Sequence, residues 1–365
     1  MNSTELYHQI LNLFPTNQTY NGDYREELRS TLKSYQNLIS SSSLFSSTTI
    51  ERLRGFCNAI NDIILFTYKG MHSKAYLRLR NQLDGYIRNS KVIISPIVSE
   101  INLQLVSVKD TFYRMRYMPE FERSKAQVED LFHIPLNLRG YVKTQRYSYP
   151  GYPCLYLASS VYGCWEELGR PNFKEQMISK VVAKKSFNLF DLRIPSIDEW
   201  SYNANYWVLL FPLIIACMFP VKDENSVFKT EYILPQLLTE WVIIRRQNNN
   251  KISSTDGILP ILGIIYTSSH RNNDFPFSSE KLDNLAIPVI NSLEGNYCSE
   301  LSEMFHLSKP TYYEIEELLE SCTPCTFVYD ENIQTMYEFS IFGKMEDFLR
   351  KKDVYKVKNK LHKIR

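Results

Sequence analysis

A chain of 365 residues exceeds the usual single domain, and its 44% hydrophobic and 22% charged residues are those of a soluble protein with material for a sizeable core. The formal net charge of +2 is too small for whole-protein attraction to nucleic acid or to a membrane surface, so any basic function must be local. Seven cysteines, odd in number and scattered, exclude a disulfide framework.

Met1-Asn2-Ser3-Thr4-Glu5 offers no cationic segment followed by an apolar run, so the start does not read as a secretory signal and a cytoplasmic protein is expected. From Thr4 to about Ser99 the pattern is helical, with Leu53, Phe56, Ile60, Ile63 and Ile64 recurring at three- and four-residue steps. Ser40–Ser47, serine apart from Leu44 and Phe45, reads as a flexible connection, and Thr48 or Thr49 as the cap of the next helix. After Ile94-Ser95-Pro96, short apolar runs separated by Pro, Gly and Asn take over, which sets a boundary near residue 105. The expected fold class is α+β: a helical domain over 1–105, a mixed α/β domain over 106–295, and a C-terminal extension over 296–365, helical and basic at its end.

Within the second segment, Cys154–Ala158 reads as a buried strand entered from the Pro150-Gly151-Tyr152-Pro153 turn. Ser159 or Ser160 then caps a helix running to Leu168, stopped by Gly169 and Pro171. Phe187–Leu192 and Gly263–Tyr266 read as further strands, and Tyr232–Ile244 as a helix with Pro235 in its first turn. The longest apolar stretch, Tyr206–Phe219, contains Pro212 and falls short of the roughly 20 residues a bilayer needs, so it is expected to be a buried helix or strand pair. The tail from Lys344 onward, rich in Lys and Arg, is expected to be solvated and partly frayed, and nucleic-acid binding there is disfavoured. Cys322-Thr323-Pro324-Cys325 would need two more ligands to hold zinc, Cys298 and His306 being nearest in sequence, and no metal site is expected.

Five pieces in order carry the chemistry. They are Phe112-Tyr113-Arg114, then Arg146-Tyr147-Ser148, then Leu155-Tyr156-Leu157, then Trp165-Glu166-Glu167, and finally Gly263-Ile264-Ile265-Tyr266-Thr267-Ser268. The ordered set resembles the RES family over roughly residues 106–295. The resemblance implies a relative of the ADP-ribosyltransferase fold that consumes NAD as a substrate, with no resident cofactor, as toxins of that family do. It implies catalytic roles for Glu167, Arg114 and Ser268 and NAD-binding roles for Arg146 and Tyr156.

Residue chemistry agrees. Cleaving the nicotinamide–ribose bond builds positive charge on the sugar, which a carboxylate such as that of Glu167 stabilises. Arg114 and Arg146 offer planar, paired donors to a diphosphate, with Arg116 and Arg139 as neighbouring alternatives. Tyr156 can stack on nicotinamide or hold a ribose, and Ser268, or Ser269 beside it, can supply a hydroxyl. No GxGxxG, GxxxxGK[ST], HExxH or GxSxG occurs, which takes the main sequence support from dehydrogenase and P-loop readings and leaves metalloprotease and esterase readings without candidate residues. The helical N-terminal segment resembles HEPN-like domains, but neither Arg52 nor Arg54 has a His four to seven positions later, so scaffolding, dimerisation or regulation is expected there and RNA cleavage is not. The expected activity is NAD glycohydrolysis or phosphorolysis by a toxin or defence effector kept in check by a neutralising partner or by its own N-terminal domain, with no membrane association. Transfer of ADP-ribose to a macromolecule and a silent nucleotide-binding module are the alternatives.

Overall fold

The computed structural model describes residues 2–15, 20, 22–88, 91–94, 103–249, 259–269, 282–290, 297–312 and 337–358. In chain order its elements are α1 (Ser3–Leu11), α2 (Tyr24–Ser41), α3 (Ser47–Tyr68), α4 (His72–Asp84), β1 (Tyr86–Arg88), β2 (Lys91–Ile94), β3 (Leu103–Val106), β4 (Thr111–Tyr117) and α5 (Glu120–Arg123). There follow β5 (Cys154–Ala158), α6 (Val161–Glu167), β6 (Gln176–Ala183), β7 (Phe187–Leu192), α7 (Ile197–Met218) and α8 (Ile233–Asn249). The last are β8 (Ile261–Thr267), β9 (Asp283–Pro288), α9 (Ser299–Met304), β10 (Phe305–Ser308), α10 (Ile341–Arg350) and β11 (Val354–Lys356). The protein is thus mixed α and β, with helices preceding a large sheet.

Chain contacts define two compact units, one of Met1–Leu103, Gln145–Tyr147 and Phe190–Asn248, the other of Gln104–Thr144, Ser148–Leu189 and Asn249–Arg365. Residues 190–248, read from the sequence as part of 106–295, pack inside the first unit.

The first unit is built around α7. Its Ser196 forms a capping box with Glu199, and every residue from Trp207 to Met218 is buried. At 22 residues α7 is long and apolar enough to cross a bilayer, longer than the stretch seen in the sequence, yet it is mostly buried inside the protein. A helical segment apolar on all sides, as Trp207–Met218 is, needs cover all round. In this unit α1, α2 and α3 contact it, presenting Leu6, Leu28, Leu32, Tyr35, Phe56 and Ile60, all essentially inaccessible. Pro212 cannot donate to the carbonyl one turn back, that of Val208, and the Tyr35 hydroxyl donates to that oxygen instead at 2.8 Å.

Three sequence expectations change here. The cap of α3 is Ser46, whose Oγ accepts from the Thr49 amide at 3.1 Å, so the helix starts earlier than Thr48 or Thr49 would place it. The helical pattern stops at Asp84 and β1 pairs antiparallel with β2, since Gly85 ends the helix and Ile87, Val92 and Ile93 favour a strand. The tail is ordered through Lys358: Phe342, Met345 and Leu349 bury one face of α10, and β11 pairs with β10. Its last basic residues, Lys360, Lys363 and Arg365, lie outside the described residues, as do Cys322 and Cys325.

The sheet runs β11-β10-β6-β4-β5-β9-β8-β7-β3 and is mostly antiparallel. β4 pairs with β6 along its whole length, from Thr111↔Val182 to Tyr117↔Gln176. With β5 it shares one pair, Tyr113↔Ala158, after which β5 continues paired with β9 alone. One face packs Phe112, Leu155, Leu157, Met177, Leu285 and Ile287 into the main core. The other packs Tyr113, Met115, Ala158 and Ile178 against α6 and α10.

Gly263 on β8 is fixed by close approach, because a Cβ there would lie 2.5 Å from the Ala286 carbonyl oxygen and 3.1 Å from the Ile287 Cα. Backbone on a neighbouring central strand cannot yield cheaply, so Gly263→Ala should cost about 3 kcal/mol. Urea unfolding measures this, and a wild-type midpoint in the variant would show that β8 and β9 are not so closely apposed.

Candidate active site

Helix α6 carries the acidic residue. Ser160 caps it by accepting from the Gly163 amide at 2.8 Å, and Gly169 ends it with φ of 76°. The two adjacent glutamates have different surroundings. Glu166 is buried and bonded to the Tyr162 hydroxyl and to Arg170, whose Nε lies 3.1 Å from both carboxylate oxygens. Tyr162, Glu166 and Arg170 are spaced by four, one helical face and its continuation, so Glu166 is a structural brace. Glu167 is half-buried on the other side of that register, and its Oε1 accepts from Asn284 Nδ2 at 2.8 Å.

Asn284 lies on β9 opposite both Ala158 and Tyr266. Directly opposed residues in antiparallel pairs share a face, so Tyr156, Ala158, Asn284 and Tyr266 lie on the α6 side of the sheet. The Leu282 carbonyl accepts from the Asn284 side chain at 3.3 Å and from the Ser268 amide at 2.9 Å, which ties fully buried Ser268 to the Glu167 end of the site. Ser269 is half-buried beside it. Tyr156 is half-buried on β5, its hydroxyl 3.0 Å from Ser148 Oγ.

Arg114 occupies the place where β4 and β5 part. Its Nη1 donates to the Tyr156 carbonyl at 2.6 Å, while its Nε is sealed from solvent with no partner among the described residues. Burial, with the charge of nearby Arg116, lowers its pKa to about 10, and no carboxylate opposes that shift. Arg116 is exposed and donates to the Asp130 carbonyl at 2.9 Å, so of these two arginines the more enclosed is Arg114, which is half-buried. Cys164, one turn before Glu167, connects the two ends: its thiol feels the charges of both Arg114 and Glu167. Burial pushes that thiol up to about 12, so it stays protonated and is no nucleophile.

Tyr156, Glu167 and Ser268 thus lie on the α6 side of the sheet in the second unit, joined through Asn284 and Leu282; Arg114 is in the same unit, and alternation along β4 puts it with Phe112, on the opposite side from Tyr113 and Met115. Arg146 belongs to the first unit. There its Nη1 donates to the carbonyls of Cys217 at 2.8 Å and Phe219 at 2.9 Å, and its guanidinium lies 5.2 Å from the Tyr232 ring centroid. A cation on the last carbonyls of α7 complements the negative end of the helix. Asn284 and Cys164 were missed from the sequence. A polar Asn inside the apolar run Leu282–Pro288 and a Cys one turn from Glu167 were the available signals. Among the described residues no group of three His, Cys, Asp or Glu could hold a metal ion.

Close by, His133 is almost wholly buried, and its Nε2 accepts from the Cys298 amide at 2.9 Å, which leaves Nδ1 as the donor to the Ile134 carbonyl at 2.8 Å. Burial lowers its pKa to about 4, the Ile134 bond opposing and the Arg114 charge adding. A base depressed by folding contributes stability that is full above the unfolded value near 6.5 and is lost as pH falls toward 4. The loss should be about 3 kcal/mol over that window. Urea unfolding at pH 7 and pH 4.5 should show it, and His133→Gln should flatten it; equal slopes in both proteins would assign the pH dependence elsewhere.

Fold and site define a two-unit mixed α/β protein whose sheet presents a half-buried arginine with no carboxylate partner among the described residues, and a helix-borne carboxylate. The chain belongs to the family of the protein named "Putative toxin YopC" from Bacillus subtilis (strain 168). It is 30% identical to that protein over 326 residues, covering 84% of this chain and 70% of that one. No family model matches the chain, and no solved structure matches it.

Proposed function

We propose that the protein is a toxin-like effector whose second unit binds NAD and cleaves the bond between nicotinamide and ribose, passing the ribosyl group to water or phosphate. The observation that carries this reading is Arg114, a half-buried guanidinium with a sealed Nε and no carboxylate partner among the described residues. A cation partly withdrawn from water with no counter-charge is costly, and it is tolerated where a ligand anion completes it. The NAD diphosphate is such an anion, and a guanidinium grips it with paired, charge-assisted bonds.

Glu167 supplies the complementary charge. Asn284 holds its carboxylate in place, and that carboxylate accepts from a ribose hydroxyl while positive charge grows on the sugar. Tyr156 packs against nicotinamide or ribose, and Ser268 supports the same end. Arg146 belongs to the first unit, where its bonds to Cys217 and Phe219 give it a structural duty, so the diphosphate grip is assigned to Arg114. The name of the Bacillus subtilis relative supports the effector reading. An enzyme that destroys NAD in the cytoplasm has to be restrained by a neutralising partner.

Incubating the protein with NAD, with and without phosphate, should release free nicotinamide. Label from adenine-labelled NAD appearing on a protein or nucleic acid would redirect the assignment to ADP-ribose transfer. No release and no transfer would sink it.

A further inference from the structure

We propose that the C-terminal helix α10 is a working part of this site, with Glu346 as the positioning residue that fixes α6 and thereby Glu167. The inference rests on the NAD-cleaving reading and deepens it. Glu346 lies outside the stretch 106–295 that carries the RES resemblance, in a tail whose sequence looks merely basic.

Helix α6 has seven residues, too few to hold its own conformation without tertiary support. Its free amides at the first turn have two acceptors. Ser160 Oγ takes Gly163, and Glu346 Oε1, from 185 residues away in the chain, takes Val161 at 2.9 Å. That carboxylate is 2% exposed, and the same oxygen accepts from the Tyr337 hydroxyl at 2.5 Å. A buried acid in such a place is held by its donors, and a negative charge at a helix start complements the aligned amide dipoles.

Helix α10 is itself fixed. Ser340 caps it by accepting from the Gly343 amide at 3.2 Å, and Lys180 of β6 donates to the carbonyls of Arg350 at 2.8 Å and Lys352 at 2.6 Å past its other end. Phe342, Met345 and Leu349 share a packed cluster with Val161, Tyr162 and Cys164 of α6. Glu346 therefore anchors the start of a rod whose last residue, Glu167, meets Asn284 at 2.8 Å. From Val161 to Glu167 the rod spans about 9 Å, so a tilt at its start displaces the carboxylate at its end. A displacement of about 1 Å at a reacting group is enough to cost up to about 100-fold in rate.

Glu346→Ala should lower kcat for nicotinamide release roughly 10- to 100-fold and leave KM for NAD within about twofold, because Arg114 sits on β4 and keeps its grip. Glu346→Gln keeps a carbonyl oxygen for the Val161 amide and should recover most of that rate. If the alanine variant does not fold, Glu346→Asp, which draws the acceptor back by one methylene, takes its place with the same expectation. Leu32→Ala in α2, a core variant of the first unit, shows whether lost stability alone lowers kcat; it should not. An alanine or aspartate variant with wild-type kcat would overturn the proposal while leaving NAD cleavage standing. So would a glutamine variant as slow as alanine, or a Leu32→Ala loss as large as that at Glu346. A wild type that releases no nicotinamide would overturn both.

Discussion

Glu167→Gln should reduce kcat for nicotinamide release by roughly 100- to 1000-fold while NAD still binds with nearly its original affinity. The substitution is chosen because it removes charge and keeps shape. Asn284 Nδ2 now donates to Glu167 Oε1, and an amide oxygen in the same position can accept that bond, so the end of α6 keeps its anchor. What disappears is the negative charge that a ribosyl cation needs, and that need exists in the transition state alone. The loss should therefore fall on kcat and spare KM. Glu166→Gln is the matched comparison, one residue away. Its partners are Tyr162 and Arg170, so it should lose stability and, once folded, retain its turnover. Steady-state kinetics with calorimetry on both variants separates the cases. Full activity in Glu167→Gln, or equal losses in the two, would remove Glu167 from the chemistry.

The contrast between these neighbours was partly legible in the sequence. Tyr162, Glu166 and Arg170 recur every four residues, which marks Glu166 as a brace, and Cys154–Ala158 leading into Ser160 is the strand-and-cap signal found in the structure. Local patterns of this kind fix local elements because the partners are within one turn or one strand. Where the partner is remote, the sequence was silent. Tyr35 on the Val208 carbonyl, Asn284 on Glu167 and Glu346 on the Val161 amide each join residues more than 100 positions apart. The destination of Arg146 shows the same limit. Its motif reads as the turn into the strand it precedes, yet residues 145–147 pack in the first unit, where the C-terminal carbonyls of a mostly buried helix recruit the guanidinium. The half of that helix from Trp207 to Met218 also explains why 190–248 joins the N-terminal helices: an apolar rod is covered by whichever amphipathic faces are available, a fact of composition that chain order does not reveal.

Arg114→Met should do two opposite things at once. In the free protein the guanidinium has one good bond, to the Tyr156 carbonyl, against a sealed, unpartnered Nε and a pKa lowered by burial. Replacing it with an apolar chain of similar length removes that penalty, and the variant should be more stable by on the order of 1–2 kcal/mol after the lost hydrogen bond is counted. For the ligand the sign reverses. Two charge-assisted bonds to a diphosphate are worth about 3 kcal/mol together, so NAD affinity should fall roughly 100-fold. Thermal melts read both effects in one experiment. Wild type should melt lower without NAD and rise when it is added, because a ligand that binds the native state alone stabilises it by mass action. The variant should melt higher without NAD and respond little at the same concentration. A less stable variant would make Arg114 a structural residue, and an undiminished NAD shift would place the diphosphate elsewhere. Only a site that holds an unpaired cation ready for an anion predicts a gain in stability coupled to a loss of binding.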